Sequence, residues 1–113
     1  MVENFDCQMK NTLEIITGKW KPLVLLYLIK FGTMRFSELK RNMPGITQKM
    51  LTQHLREFED EGLVKRVVYP VIPPKVEYSI TEYGKGLEPI LDAMHHWGEK
   101  HNLNKQQDSV INN

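Results

Sequence analysis

The chain has 113 residues, 41% of them hydrophobic, and a formal net charge of +1. That length is one domain, spanning 1–113, and the balanced charge means that any polyanionic partner must be argued from local clustering. A single cysteine, Cys7, excludes an intramolecular disulfide, and no segment is long and apolar enough to cross a bilayer. The opening MVENFDCQMK has no apolar signal-peptide core, so a cytoplasmic protein with no membrane partner is expected.

DCQMKNTLEIIT predicts a short helix capped by Asp6, with Met9, Leu13 and Ile16 at helical spacing. Gly18 breaks it. KWKPLVLLYLIK predicts a second helix, in which Pro22 is tolerable only in the first turn. Its nearly wholly apolar run from Leu23 to Ile29 implies burial on most sides, and Gly32 is a natural stop. RFSELKRNM predicts a shorter helix with Ser37 as cap and Phe36 as the staple before it. Pro44 and Gly45 make a turn, Thr47 caps the next helix, and Gly62 ends it.

LVKRVVYP and KVEYSI are both β-rich. Val76, Tyr78 and Ile80 alternate with Glu77 and Ser79, so one face is buried and the other wet. PVIPP between the two runs suits an exposed hairpin tip. Thr81 is expected to cap one long last helix, TEYGKGLEPILDAMHHWGEKH, with Pro89 kinking or breaking it. The core is therefore placed at 7–101, and the polar residues 102–113 are expected to fray.

A short helix, a tight turn and a second helix form a helix-turn-helix, and a hairpin directly after it is a wing. The expected fold is mainly α (α+β): a winged helix-turn-helix with a two-stranded β wing. The helix after Thr47 has an unusual charge order. From Thr47 to Arg56 it holds two bases and no acid, whereas Glu57, Glu59, Asp60 and Glu61 crowd its end. A helix dipole favours the reverse. At 100° per residue, Leu51, Leu55 and Phe58 share a core face. Lys49, Thr52, Gln53 and Arg56 lie opposite, with Gln48 at the border. Arg and Gln can read guanine and adenine edges in a major groove. The helix N-terminus, with Thr47, offers N–H groups to a phosphate. The acids fall in the half expected to turn away from a groove. A solvated surface helix is the bland alternative, but further cations frame the motif: Lys19 and Lys21 before it, Arg35, Lys40 and Arg41 around its first helix, and Lys65, Arg66 and Lys75 at the hairpin. Arg35, Lys19 and Lys75 are the expected backbone contacts.

Leu13 in the first helix, and Leu87, Ile90, Leu91, Met94 and Trp97 in the last, form apolar stripes that three helices and a hairpin have little room to bury. Pairing across a two-fold axis would cover them, so a homodimer on double-stranded DNA is expected. His95 and Glu99 stand four apart, a pairing worth about 0.3–0.5 kcal/mol on a surface. His54, His95, His96 and His101 make no tetrahedral set, so no metal and no cofactor is expected. No phosphate loop, nucleophile–base set or carboxylate pair stands out, so no catalytic residue is assigned and an enzyme is not expected. Met34, Met43, Met50 and Met94 read as core or interface filling. Trp20, Tyr27, Phe36 and Phe58 read as core. A winged helix that binds only protein shares this pattern and is the competing class.

The sequence resembles the HxlR-type transcriptional regulators, winged-helix proteins related to the MarR group. The resemblance is carried by GKWK at Gly18–Lys21, RFSEL at Arg35–Leu39, PGITQKMLTQHLRE at Pro44–Glu57, EGLVKR at Glu61–Arg66, YPVIPPKVEYSIT at Tyr69–Thr81, and LEPILDAM with Trp97 and Gly98. It implies a dimeric DNA-binding regulator, with its dimer built by the N- and C-terminal helices and recognition assigned to the helix after Thr47. Gln8 stands where many members have proline. His95 and His96 stand where some carry a second cysteine. Cys7 has two readings. It is a small buried residue at a helix start, or, as in some family members, a sensor of oxidants or reactive electrophiles. Lys10 favours a thiolate there, while Glu3 and Asp6 oppose it.

Overall fold

The computed structural model of the protein describes residues 6–111; Glu3 and residues 112–113 lie outside them. Five α-helices and three strands follow in the order α1 (Met9–Ile16), α2 (Lys21–Phe31), β1 (Met34–Arg35), α3 (Phe36–Arg41), α4 (Gln48–Asp60), β2 (Val64–Tyr69), β3 (Lys75–Ile80) and α5 (Glu88–Ile111). A 3₁₀ turn, Gly84–Leu87, precedes α5. This is a winged helix-turn-helix, with α3 and α4 as the motif and β2–β3 as the wing.

The helix boundaries follow local chemistry, with corrections to the expected caps. α1 begins after Gln8 and has no side-chain cap; Asp6 instead accepts a hydrogen bond from the Gln8 amide at 2.9 Å. Pro22 sits in the first turn of α2, and Gly32 ends it at φ 79°, where glycine carries no Cβ penalty. The cap of α3 is Arg35, two residues earlier than Ser37. The Glu38 carboxylate accepts from the Arg35 backbone N–H at 2.9 Å, so the helix starts at Phe36. Thr47 caps α4 as expected, its hydroxyl accepting from Met50 N–H at 3.1 Å.

The C-terminal end of α4 closes in a Schellman motif. Gly62, at φ 75°, donates to the Glu59 carbonyl at 3.0 Å, and Leu63 donates to the Phe58 carbonyl at 2.9 Å. Leu63 and Phe58 are both buried, which supplies the apolar contact that accompanies this turn.

β1, which overlaps the expected third helical segment only at Arg35, adds a third strand to the wing sheet. The strand order is β1-β3-β2, all antiparallel, with Met34 opposite Tyr78 and Val64 opposite Ile80. On β3 the alternation holds: Tyr78 is buried, and Val76 and Ile80 pack against the core. The hairpin tip at 70–74 is exposed, including Val71 and Ile72.

Val24, Leu25 and Leu28 of α2, Leu39 of α3, Met43, and Leu51, Leu55 and Phe58 of α4 form the deepest part of the core. Each large apolar side chain buried this way contributes about 1.5–3 kcal/mol relative to exposure. Trp20, Tyr27 and Phe36 pack partly buried against it. Met34 and Met43 are in the core, whereas Met50 and Met94 are exposed.

The segment after β3 differs from the single long helix expected. Thr81 stitches the end of β3 to the α4–β2 turn: its N–H donates to the Leu63 carbonyl at 3.0 Å and its hydroxyl to the Gly62 carbonyl at 2.7 Å. The same hydroxyl accepts from Gly84 N–H at 2.9 Å, so Thr81 caps the 3₁₀ turn and not α5. Pro89 falls at the second residue of α5, where its missing N–H costs nothing. It marks a break rather than a kink. α5 then continues to Ile111, through the polar residues expected to fray from 102. It docks on α2 through Leu91, which is 3% exposed, and through Lys30, whose ammonium lies 2.9 Å from Asp92.

Gly84 is fixed by space. A Cβ there would meet the Leu63 carbonyl oxygen at 2.5 Å and Ile80 Cδ1 at 2.8 Å. Gly84→Ala should therefore lower stability by about 1–3 kcal/mol, seen as a lower urea midpoint. Gly86→Ala, where an added Cβ meets nothing within 4 Å, should leave the midpoint in place.

Candidate nucleic-acid interface

Burial of Leu51, Leu55 and Phe58 turns the opposite side of α4 to solvent. Gln48, Lys49, Thr52, Gln53 and Arg56 line one continuous surface there, so the five side chains assigned to recognition converge. Thr47 stands at its N-terminal edge, its hydroxyl already engaged by Met50 N–H. The α4 dipole places its positive end at this edge.

Glu57 and Asp60 also line this surface. This corrects the expectation that the acids of α4 all turn away. Glu57 does not stand there as a bare negative charge. One carboxylate oxygen lies 2.8 Å from Lys21 Nζ at the start of α2, and the other accepts from the Gln53 amide at 3.2 Å. The Lys21 hydrogen bond, opposed by partial burial, holds the Glu57 carboxyl below its ordinary range. Lys21 therefore serves as a partner for Glu57. His54, one turn back on the same helix, is half-buried, and its Nδ1 has no hydrogen-bond partner among the described residues. Burial is the main cause that lowers its pKa, which favours the neutral ring.

Between α4 and the wing lies a cleft of about 290 Å³ lined by Thr52, Arg56, Glu59, Arg66 and Tyr78. It brings Arg66 of β2 beside Arg56. Arg66 was visible in the sequence as one of several hairpin cations; its position next to the α4 face required the register of the sheet. On the wing itself, Lys75 lies 3.7 Å from Glu77 and sits 5.0 Å from the Tyr69 ring centroid. Hydrogen bonding to Glu77 raises the Tyr69 hydroxyl above its ordinary pKa. Arg35, on β1, lies opposite Glu77 in register and lines a separate surface with Ser37, Glu38 and Arg41.

Lys19 does not join these groups. Its ammonium sits 4.8 Å from the Trp20 ring centroid and lines a groove with Pro22, Leu23, Leu26, Leu91, Met94 and His95, between α2 and α5.

The apolar stripes are partly unpartnered in this chain. Leu13, Ile90, Met94 and Trp97 are 43–67% exposed. Leu87 is half-buried against the core and Leu91 is inside it, so these two serve the fold of the single chain. Met9 and Leu103 are exposed as well; Leu103 lies in the polar segment expected to fray, which masks it in the sequence. Trp97 stacks on His101 with ring centroids 5.0 Å apart. His95 and His96 both approach Glu99, at 3.6 and 3.1 Å. Cys7 is exposed in the single chain and precedes α1, so the fold of one chain does not bury it. Among the described residues, no helix is long and apolar enough to cross a membrane.

Comparison with known proteins agrees with this geometry. Residues 15–107 match the family model described as HxlR-like helix-turn-helix. The chain is 52% identical over 99 residues to the HTH-type transcriptional regulator YtcD of Bacillus subtilis, covering 88% of this chain and 78% of that protein. It is 55% identical over 97 residues to YkvN, another HTH-type transcriptional regulator of Bacillus subtilis, covering 86% and 81%. Among solved structures, the redox regulator HypR in its reduced form superposes with a TM-score of 0.81 at 49% identity, over 85% of this chain and 94% of that one. The oxidized form of HypR gives 0.79 at 51% identity, over 83% and 96%. A helix-turn-helix whose exposed second helix stands beside a β wing, matched over most of its length by such relatives, identifies the chain as a transcriptional regulator belonging to the HxlR-like helix-turn-helix family.

Proposed function

We propose that the protein is a sequence-specific DNA-binding regulator that acts in the cytoplasm as a homodimer on a palindromic operator. The carrying observation is the two-faced α4: Leu51, Leu55 and Phe58 are fixed in the core while Gln48, Lys49, Thr52, Gln53 and Arg56 share the exposed side. This side enters the major groove. Arg56 and Gln53 read base edges, and Thr47 with the α4 N-terminus lies on phosphate. Arg66 and Lys75 of the wing, with Arg35 beside it, contact the backbone, where they position the protein without reading sequence.

The homodimer forms through the exposed stripe of α5 at Ile90, Met94 and Trp97 together with Leu13 of α1. An apolar stripe of this kind on two terminal helices is costly in water and is covered by a symmetry mate. The operator's half-sites are then centred roughly 34 Å apart, or a multiple of that spacing.

Cys7 is the candidate input. Its exposure, and the chain's likeness to the redox regulator HypR, support a response to oxidants or reactive electrophiles. With one cysteine per chain, the disulfide open to a homodimer is Cys7 to Cys7 of its mate. Modification beside α1 would act on the dimer and so on the spacing of the two α4 helices.

Four outcomes test these assignments. The wild-type protein should bind a random duplex at low salt with a Kd on the order of micromolar or tighter, whereas a protein-interaction module should show no binding. Arg56→Ala and Gln53→Ala should each cost about 1–3 kcal/mol at one base pair, and Lys75→Ala should weaken all sequences alike; unchanged affinity and preference in the first two would remove α4 from recognition. Trp97→Glu should convert the dimer to monomer in sedimentation while circular dichroism stays unchanged, a cleaner probe than Leu91→Glu, which would disrupt the core of the single chain. Finally, hypochlorite or a quinone should release DNA from the wild type and spare Cys7→Ser; equal loss in both proteins, or loss in neither, would clear Cys7 of sensing.

A further inference from the structure

The ion pair between Lys21 and Glu57 joins two parts of the chain with different tasks. Lys21 opens α2, in the body of the domain, and Glu57 lies on the α4 surface that carries the recognition side chains. The Lys21 side chain is 16% exposed and that of Glu57 39%. The Lys21 ammonium is also 5.9 Å from the Phe58 ring centroid, against the core. The two Glu57 carboxylate oxygens are divided between partners: Oε2 takes Lys21 Nζ at 2.8 Å, and Oε1 takes the Gln53 Nε2–H at 3.2 Å.

This division has a chemical consequence. An ionised carboxylate accepts hydrogen bonds and donates none. Beside it, the Gln53 amide must turn an N–H toward Glu57, and its carbonyl oxygen must turn away. A glutamine on an open helix face can present its amide either way round. Gln53 is held one way round, with its carbonyl oxygen and second N–H left for another partner. An adenine edge in the major groove offers an N6–H donor and an N7 acceptor, the pattern that such an oriented amide matches.

We propose that Glu57 and Lys21 are positioning residues for base readout: Lys21 anchors the Glu57 carboxylate, and the carboxylate sets the direction in which Gln53 offers its acceptor and donor to a base pair. The inference rests on the reading of α4 as the DNA-reading helix and adds the source of its specificity at one position. Lys21 has a second effect, since it cancels a negative charge on the face that meets phosphates. The hydrogen bond from Lys21 lowers the Glu57 pKa and so favours the ionised form that the orientation requires.

The test is fluorescence-anisotropy competition with a panel of duplexes that differ at single base pairs, built on the site selected by the wild type. Glu57→Gln keeps the shape of the side chain but can both accept and donate, so Gln53 is free to turn over. The expected result is a loss of preference, by about fivefold or more, at the base pair where Gln53→Ala also loses it. Non-specific affinity should rise in the same variant, because Lys21 becomes an unpaired cation. Lys21→Met should lose the same preference and should lower non-specific affinity by roughly threefold to tenfold. Lys21→Arg should retain the preference. The double variant Lys21→Met with Glu57→Gln should return non-specific affinity to near the wild-type value while the preference stays lost, which separates charge from orientation. Circular dichroism and sedimentation identical to wild type qualify each variant as folded and dimeric. The inference is overturned if Glu57→Gln keeps the wild-type preference, or loses it at a base pair that Gln53→Ala leaves intact. A wild type that binds no duplex overturns the DNA-binding reading itself, before any variant is compared.

Discussion

Rotation of α4 about its own axis is set by Leu51, Leu55 and Phe58, none of them more than 1% exposed. Because successive residues step by 100° around a helix, burying these three leaves no freedom in what faces out. A rotation of one residue would drive polar Thr52 and Arg56 into a packed apolar interior, at the cost of unpaired polar groups. The functional side of the molecule is thus a consequence of its core. The core needs no polar residue of its own: among the described residues, every buried position outside the glycines is hydrophobic or the aromatic Tyr78.

The same helix also places the wing. Leu63 follows α4 through the Schellman turn and is the last residue before β2. Thr81, at the end of β3, bonds back to Gly62 and Leu63, so both ends of the hairpin are pinned within two residues of each other. Gly84 fits against that junction with no space for a Cβ. β1 then binds the other edge of β3 and leads directly into α3. Wing, first motif helix and α4 share one frame, and the cleft containing Arg56 and Arg66 is a product of that frame. The hairpin tip at 70–74 has no such ties and is exposed.

The reversed charge order of α4 now has a physical account in two parts. Its N-terminal half has no acid in the first turn, which leaves the positive end of the dipole available to an anion. At its C-terminal end the last carbonyls are met by Gly62 and Leu63 N–H groups, so the end is capped by backbone geometry and not by basic side chains. Of the two acids that line the exposed face, Glu57 and Asp60, Glu57 is matched by Lys21 from another helix. Helix-dipole reasoning applied to α4 alone counts Glu57 as an unfavourable charge; in the folded chain it is one half of a hydrogen-bonded pair.

Local pattern was enough for several features of this protein. An apolar run between Pro22 and Gly32 placed α2, and hydrophobic periodicity placed α4 and chose its inward face, because a 3.6-residue repeat of Leu51, Leu55 and Phe58 has one solution. Thr47, Gly32 and Gly62 marked their boundaries because capping chemistry is confined to a few residues around a helix end. Motif order and the resemblance of its segments reached the winged-helix family and the candidate recognition side chains. What local pattern could not settle depends on partners distant in the chain. β1 is two residues long and is a strand only because β3 lies beside it. Thr81 resembles a helix cap in local sequence, because the Gly62 and Leu63 carbonyls that its hydroxyl and N–H bind are remote in the chain. The apolar stripe of α5 looked uniform, but docking on α2 buried Leu91 and left Met94 and Trp97 outside. Lys19 and Lys21 are two residues apart and looked alike as flanking cations. The packing of α2 against α4 and α5 sent Lys21 to Glu57 and Lys19 to the opposite groove, because charge on a sequence has a sign but acquires a partner only when the chain is folded.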